Sequence, residues 1–159
     1  MESFYKYVGE LEDNVAELIR NTHNEALELF AIKDSQDNES VAGQVMMHVG
    51  NIISSGTFPS QYGNVEDAAV ALGVLFGQAL CNHYGWKWMS LGQKKDTASV
   101  FVVSPENYFS HPPMYYIQRI INGKNLGEDG KNQNNIVENF KRFSDVDSLP
   151  NEKMYFPLI

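Results

Sequence analysis

Cys81 and His83 come closest, in residue type, to a nucleophile and its general base. An imidazole that takes the proton of a thiol is a common way to activate a cysteine nucleophile. The surrounding residues have helical periodicity, and side chains two positions apart on a helix point about 200° away from each other. The imidazole of His83 therefore cannot activate this thiol, and we interpret Cys81 as a small, buried, structural residue.

Residue spacing gives little support for a metal site or a catalytic motif. The four histidines are at least 25 residues apart, whereas zinc sites usually contain ligand pairs separated by a few residues. Glycine-rich phosphate-binding motifs and the Gly-x-Ser-x-Gly motif are absent from the sequence. Glu66 and Asp67 are a candidate acid–base pair, but they follow the helix N-cap residue Asn64, where the helix dipole favours negative charge. We expect a non-catalytic protein that needs no metal or redox cofactor.

Trp86, Trp88 and Arg119 define an alternative, small-molecule or enzymatic function. Alternation places both indoles on one face of a predicted strand, where they could line a ligand pocket. Arg119 could bind an anion in that pocket or pair with a carboxylate of the same chain. We favour the interpretation that the tryptophans pack in the core and that Arg119 forms an internal ion pair.

Aromatic residues are concentrated around His111–Pro113, with Tyr108 and Phe109 before it and Tyr115 and Tyr116 after it. Tyrosines can anchor a protein partner because they bury a large area at a small entropy cost. The same residues could instead close the core around the proline turn. Both interpretations remain open, with Tyr108 and Tyr115 as the candidate partner-binding residues.

Negative charge is concentrated near the start of the chain. The sequence has 20 acidic and 12 basic residues and a net charge of −8. Residues 1–40 contain ten of the acids and three of the bases. This balance makes nucleic acid a poor partner, because binding to phosphate backbones requires positive charge. The asymmetry suggests a basic protein partner, although a solvated helix face would have the same composition.

The apolar spacing in residues 4–29 predicts one amphipathic helix with an acidic, solvent-facing side. Leu18 and Ile19 fall on its apolar side, and a polar loop is predicted at residues 33–40. We expect the partner to contact acidic residues of this helix and loop. These acids are Glu10, Asp13, Glu17, Asp34, Asp37 and Glu39.

The remaining pattern predicts a single α+β domain, with N-terminal helices packed on a small antiparallel sheet. A second helix is predicted at residues 41–54 and a third at 64–84, with Gly85 as a left-handed C-cap. Alternating and β-branched residues then predict a hairpin at 86–104. Two shorter helices, at 114–122 and 136–143, and an edge strand at 154–156 complete the expected fold.

Gly73 and Gly77, one turn apart in the third predicted helix, indicate close packing. Glycine costs up to about 1 kcal/mol in a helix interior, so two of them suggest that another element lies directly against this side. The single cysteine and the absence of a signal-peptide pattern or a bilayer-length apolar run favour a soluble cytoplasmic protein without a membrane partner.

Small residues, a tryptophan that opens a strand, a proline that ends one and an arginine before a glycine occur in this order at residues 71–73, Gly77, Trp86, Pro105, 117–119 and Gly123. In these residues, the segment from about residue 70 to 124 resembles a bacterial domain family of unknown function. The small, acidic chain also resembles bacterial toxin-immunity proteins in general character. That second resemblance implies a non-catalytic protein that binds and neutralises a basic, cytoplasmic-acting toxin.

Overall fold

A computed structural model describes residues 1–33 and 37–159 of the protein. This part of the chain contains five α-helices and a five-stranded sheet, which confirms the α+β class. The helices are α1 Asp13–Leu29, α2 Asn38–Ser55, α3 Val65–Tyr84, α4 Pro113–Ile121 and α5 Ile136–Arg142. The strands are β1 Tyr7–Glu10, β2 Lys87–Gly92, β3 Ser99–Val103, β4 Phe109–His111 and β5 Phe156–Pro157.

The sheet has the spatial order β1-β2-β3-β4-β5 and is mixed. The predicted hairpin is confirmed: β2 and β3 are antiparallel, with Trp88 opposite Val102. The expectation of a purely antiparallel sheet is wrong, because β5 pairs with β4 in parallel. Helices α4 and α5 lie between these two strands in the chain and carry it back to the start of β4, as a parallel pair requires.

The N-terminal residues form a strand, so the prediction of one helix from residue 4 is wrong. β1 pairs antiparallel with β2, with Val8 opposite Leu91 and Glu10 opposite Met89. A two-stranded hairpin is marginally stable alone, and β1 extends this one to three strands. Gly9 also disfavours a helix at this place. Helical spacing in residues 4–11 was therefore overridden by pairing with a distant strand, and α1 begins only at Asp13.

Helix α3 is the centre of the core, and its two ends follow the sequence prediction. The Asn64 side chain accepts a hydrogen bond from the Asp67 backbone N–H at 2.8 Å, and Gly85 has the expected left-handed φ of 74°. By length and composition alone α3 could cross a membrane, but 61% of its most apolar window is buried inside the protein. The apolar composition of α3 is explained by its position in the core, where it packs against the other helices and the sheet.

Close packing at Gly73 and Gly77 is confirmed. A Cβ atom at position 73 would lie 2.5 Å from the backbone Cα of Met114, at the start of α4. A Cβ atom at position 77 would lie 2.5 Å from Trp88 Cη2 and 2.8 Å from Pro113 Cγ. All three distances are far below van der Waals contact, so only glycine lets α4 and the Trp88 indole approach α3 this closely.

The sheet face opposite the helices carries a second, smaller apolar cluster built on Met89, Leu91 and Val103. Tyr5, from the segment before β1, and Tyr155, from the segment before β5, pack against it. These two segments are hydrogen-bonded to each other: the Phe4 N–H donates to the Met154 carbonyl at 2.9 Å. The two segments together therefore partly cover this face.

Candidate functional site

The candidate partner-binding acids do not form one helical stripe. Asp13 and Glu17 lie exposed in the first two turns of α1. Glu10 is the last residue of β1, opposite Met89, and directly opposed residues share a sheet face. Glu10 therefore belongs to the face that points away from the helices. The structure separates it from the α1 acids because residues 7–10 are a strand.

Two further candidate acids have partners within the chain. The Asp37 carboxylate caps α2 and accepts hydrogen bonds from the Ser40 backbone N–H and hydroxyl, both at 2.9 Å. These bonds hold the pKa of Asp37 below its usual value. Glu39 forms a 3.1 Å ion pair with Lys141 of α5. Asp34 lies outside the described residues.

Leu18 is an exposed apolar residue among the acids of α1. It was predicted on the apolar side of the helix, but 64% of its surface is accessible. Ile19 and Ala26 are the buried residues of α1 and face the core. Because adjacent helical residues are rotated by about 100°, burying Ile19 turns Leu18 outward. Leu18 and Glu17 thus share an exposed part of the α1 surface.

An open cleft of about 500 Å³ lies between α1, α3 and the Trp88 indole. On its α3 side, Trp88 Nε1 donates to Gln78 Oε1 at 3.0 Å, and Gln78 Nε2 donates to Asn82 Oδ1 at 2.8 Å. Arg20 and His23 line the α1 side. The cleft is open to solvent and has both polar and apolar groups in its lining, and one of its α1 residues, Ala16, precedes Glu17 in the chain.

Of the three residues of the alternative pocket, Trp88 is the one that lines this cleft. Trp86 is buried in the main core, with its indole 5.1 Å from the Phe143 ring in an edge-to-face contact. Arg119 donates to the Lys124 backbone carbonyl at 3.1 Å and lies 5.8 Å from the Tyr115 ring centroid. Its internal partners are thus a carbonyl and an aromatic ring, where we expected a carboxylate.

Most of the aromatic corner closes the core. Phe109 and Tyr116 are buried, and Tyr108 is half-buried against the main core cluster. Tyr115 points outward, with 48% of its surface exposed. Of the two candidate partner-binding tyrosines, Tyr115 is therefore the one that presents a ring to solvent.

A second cavity, of about 380 Å³, lies where β4, α4, α5 and the last described residues meet; we call it the His111 cavity. His111 is 1% exposed, and its Nδ1 lies 2.7 Å from the Leu158 carbonyl oxygen. A carbonyl only accepts hydrogen bonds, so Nδ1 carries the proton and Nε2 presents a lone pair. That Nε2 is buried and has no hydrogen-bond partner among the described residues.

Burial keeps His111 neutral by lowering its pKa to about 4, against a smaller opposing effect of the bond to Leu158. Tyr116 also lines the cavity, and its hydroxyl oxygen accepts a hydrogen bond from Asn139 Nδ2 at 2.5 Å. Burial raises the pKa of Tyr116, so its own O–H remains a donor. Arg142 lines the same cavity from α5 and is exposed. The lining of the cavity thus includes a buried histidine, a buried tyrosine and an exposed arginine, and the Nε2 atom of His111 itself has almost no accessible surface.

Sequence analysis missed the His111 cavity. Its lining residues come from several separate segments, and two of them, His111 and Leu158, are 47 positions apart in the chain. The one available signal was a histidine set between an apolar strand and two prolines, a context typical of burial. That signal predicts a buried imidazole but not a space beside it.

Cys81 behaves as a structural residue. Burial raises the pKa of its thiol to about 12, so the nucleophilic thiolate is scarce at neutral pH. The thiol packs against the main core cluster, whereas His83 is exposed.

We expect the thermal unfolding midpoint to be the same with and without a strong chelator. Within residues 1–33 and 37–159 no three His, Cys, Asp or Glu side chains are placed to hold a metal ion. Chelation should therefore remove nothing that stabilises the fold. Differential scanning calorimetry, with elemental analysis of the same sample, tests this. A stoichiometric metal together with a lower midpoint in chelator would contradict it.

Comparison of the chain with known proteins finds no matching family model, no matching curated protein and no matching solved structure.

Proposed function

We propose that the protein is a non-catalytic, immunity-type inhibitor that binds a basic, cytoplasmic-acting toxin through the exposed face of α1. The supporting observation is that Asp13 and Glu17 of α1 are exposed and form no ion pair with any described residue. Within residues 1–33 and 37–159 a single ion pair is present, between Glu39 and Lys141. The charges of Asp13 and Glu17 are therefore available to a partner.

The charge at this face favours association with a basic surface. Unpaired surface charges create a field that attracts an oppositely charged protein and raises the association rate. The exposed Leu18 beside Glu17 supplies an apolar contact within the acidic surface. The cleft lined by Arg20 and Trp88 lies along the neighbouring side of α1 and can receive a protruding side chain. Charge, an apolar anchor and a concave surface are features of protein-binding sites.

The toxin-neutralising role is tested by co-expression in bacteria with the reading frame immediately upstream of this gene. We expect that frame to arrest growth when expressed alone and co-expression of the wild-type chain to restore growth. The proposal would be overturned if the frame arrested growth with and without the chain, or if it did not arrest growth when expressed alone. Purified proteins from the same strains should form a complex on size-exclusion chromatography.

We expect the double variant Asp13→Lys/Glu17→Lys to bind the toxin with an on-rate at least about tenfold lower at low salt. Charge steering contributes roughly 10 to 10³ to association rates and is screened over about 8 Å at physiological ionic strength. Folding should change little, because surface substitutions usually shift stability by about 0.5 kcal/mol or less. Surface plasmon resonance at two salt concentrations measures the effect.

A matched control separates the site from the overall charge. Glu25→Lys/Glu28→Lys makes the same charge change further along α1, where both residues are also exposed. We expect it to slow association less than the Asp13/Glu17 variant. Equal effects of the two variants would assign the rate to net charge and remove the first turns of α1 from the interface.

A further inference from the structure

We propose that the open cleft between α1, α3 and the Trp88 indole binds a small carboxylate that carries a flat, apolar ring. The volume of the cleft, about 500 Å³, falls within the 300–1,000 Å³ that small-molecule sites occupy. The ligand is a free small molecule, so this proposal does not depend on the toxin and is tested on the chain alone.

The charge of the cleft is opposite to that of the molecule as a whole. The chain has a net charge of −8, yet no acid is among the described residues that line the cleft, whereas Arg20 and His23 line it from α1. Arg20 is exposed and forms no ion pair with any described residue. An acidic protein repels anions at long range, so an anionic ligand needs a cation close to it. A guanidinium can bind a carboxylate through two parallel hydrogen bonds.

A chain of hydrogen bonds on the α3 side leaves a donor at its end. The Trp88 indole N–H can only donate, so it is Gln78 Oε1 that faces it. Gln78 Nε2 then donates to Asn82 Oδ1, and the hydrogens of Asn82 Nδ2 have no acceptor among the described residues. Each bond in such a chain polarises the next. Asn82, the Arg20 guanidinium and the ring N–H of His23 are thus donors in the lining of one cleft, which favours a carboxylate.

The other lining groups favour a flat, apolar ring. Leu11, Ala16 and Ile19 contribute aliphatic groups, and Trp88 contributes its indole. The indole is held in place, because its Nε1 is hydrogen-bonded and its Cη2 packs closely on Gly77 of α3. A ring that is already fixed loses little freedom when a ligand binds, and aromatic rings pair well with it. An aromatic carboxylate combines such a ring with a charged group at its edge.

Three probes separate the charge from the ring. Benzoate has both, benzamide has nearly the same shape without the charge, and acetate has the charge without the ring. NMR titration of the full chain at constant ionic strength follows the indole N–H signals of Trp88, in the cleft, and Trp86, buried in the core. We expect benzoate to shift the Trp88 signal saturably and to leave the Trp86 signal nearly unmoved. It should bind at least about tenfold more tightly than benzamide or acetate, a difference of about 1.4 kcal/mol.

Two variants assign the contacts. Arg20→Gln should weaken benzoate about tenfold and leave benzamide unchanged. Arg142→Gln makes the same substitution at an exposed arginine that does not line the cleft, and it should change neither. Asn82→Asp keeps the size of the side chain but replaces the donor by a negative charge, so it should weaken benzoate by at least about tenfold. Arg20 and Asn82 are exposed, so both variants should melt close to the wild type.

Four results would overturn the proposal. The first is the absence of a saturable shift of the Trp88 signal with benzoate up to about 20 mM, a range in which even millimolar sites are detected. The second is equal binding of benzoate and benzamide, since the charge would then not select the ligand. The third is acetate binding as tightly as benzoate, which would make the cleft a site for any carboxylate, including an acidic side chain of a protein. The fourth is unchanged benzoate binding in Arg20→Gln.

Discussion

Replacing Gly73 or Gly77 by leucine is expected to lower the free energy of unfolding by about 3 kcal/mol or more, and replacement by alanine by about 2 kcal/mol. Even a single Cβ atom at position 73 would lie 2.5 Å from the Met114 backbone, which cannot move without displacing α4. At position 77 the obstacles are Trp88 and Pro113. The steric cost exceeds the gain in helix propensity, which is at most about 1 kcal/mol. Urea denaturation followed by circular dichroism measures the effect.

Gly43 and Gly50, both inside α2, provide the matched control. A Cβ atom at either position would meet its nearest neighbour at 3.8–4.0 Å, an ordinary contact. Gly43→Ala and Gly50→Ala should therefore stabilise the protein by up to about 1 kcal/mol. If the α3 alanine variants were as stable as the α2 variants, the close approach of α4 and Trp88 to α3 would be wrong.

As the pH falls from about 6.5 to about 4, the titration of His111 is expected to lower the free energy of unfolding by about 3 kcal/mol. In the unfolded chain a histidine titrates near pH 6.5, whereas burial lowers the pKa of folded His111 to about 4. Above pH 6.5 both states are neutral and the residue makes no pH-dependent contribution. Between the two values only the unfolded state binds the proton, so acid favours unfolding. Below pH 4 both states are protonated and the loss stops.

The variant His111→Asn isolates this effect. Asparagine keeps a donor for the Leu158 carbonyl but does not titrate. It will be less stable at pH 7 because it packs poorly, and that difference from the wild type should shrink by about 3 kcal/mol at pH 4. Burial also lowers the pKa of His48, but His48 is present in both proteins and cancels. A difference in unfolding free energy that stays constant from pH 7 to pH 4 would contradict the prediction.

The parts of the fold that sequence analysis predicted correctly depend on local signals. The side chain of Asn64 caps the helix that begins at the next residue, by accepting a hydrogen bond from the backbone N–H three positions on. Gly85 ends the same helix with its left-handed φ, and the β2–β3 hairpin joins strands that are neighbours in the chain. The pairing of β1 and the direction of β5 depend on distant segments. The helical spacing of apolar residues in 4–11 carries no information about β2, which lies far away in the chain. It therefore could not predict that these residues pair with the edge of β2.

The same distinction applies to the candidate sites. Asp13 and Glu17 were predicted to be exposed on a helix, and they are, because both the helix and its polar side are local properties. The positions of Glu10 and Leu18 depended on where α1 begins and which side of it packs on the core. The His111 cavity was out of reach because β4, α4, α5 and the segment around Leu158 must all be in place before it exists.

The hydrogen bonding of residues 2–4 to Met154 bears on how the protein is made. Because synthesis runs from the N-terminus, residues 2–4 leave the ribosome well before Met154 and Tyr155. Until Tyr155 emerges, the apolar cluster of Met89, Leu91 and Val103 lacks one of the residues that pack against it, and a nascent chain with this surface partly bare is prone to aggregate or to bind chaperones. Contacts between such distant residues also form slowly. This exposure therefore lasts until β5 and the residues just before it have left the ribosome.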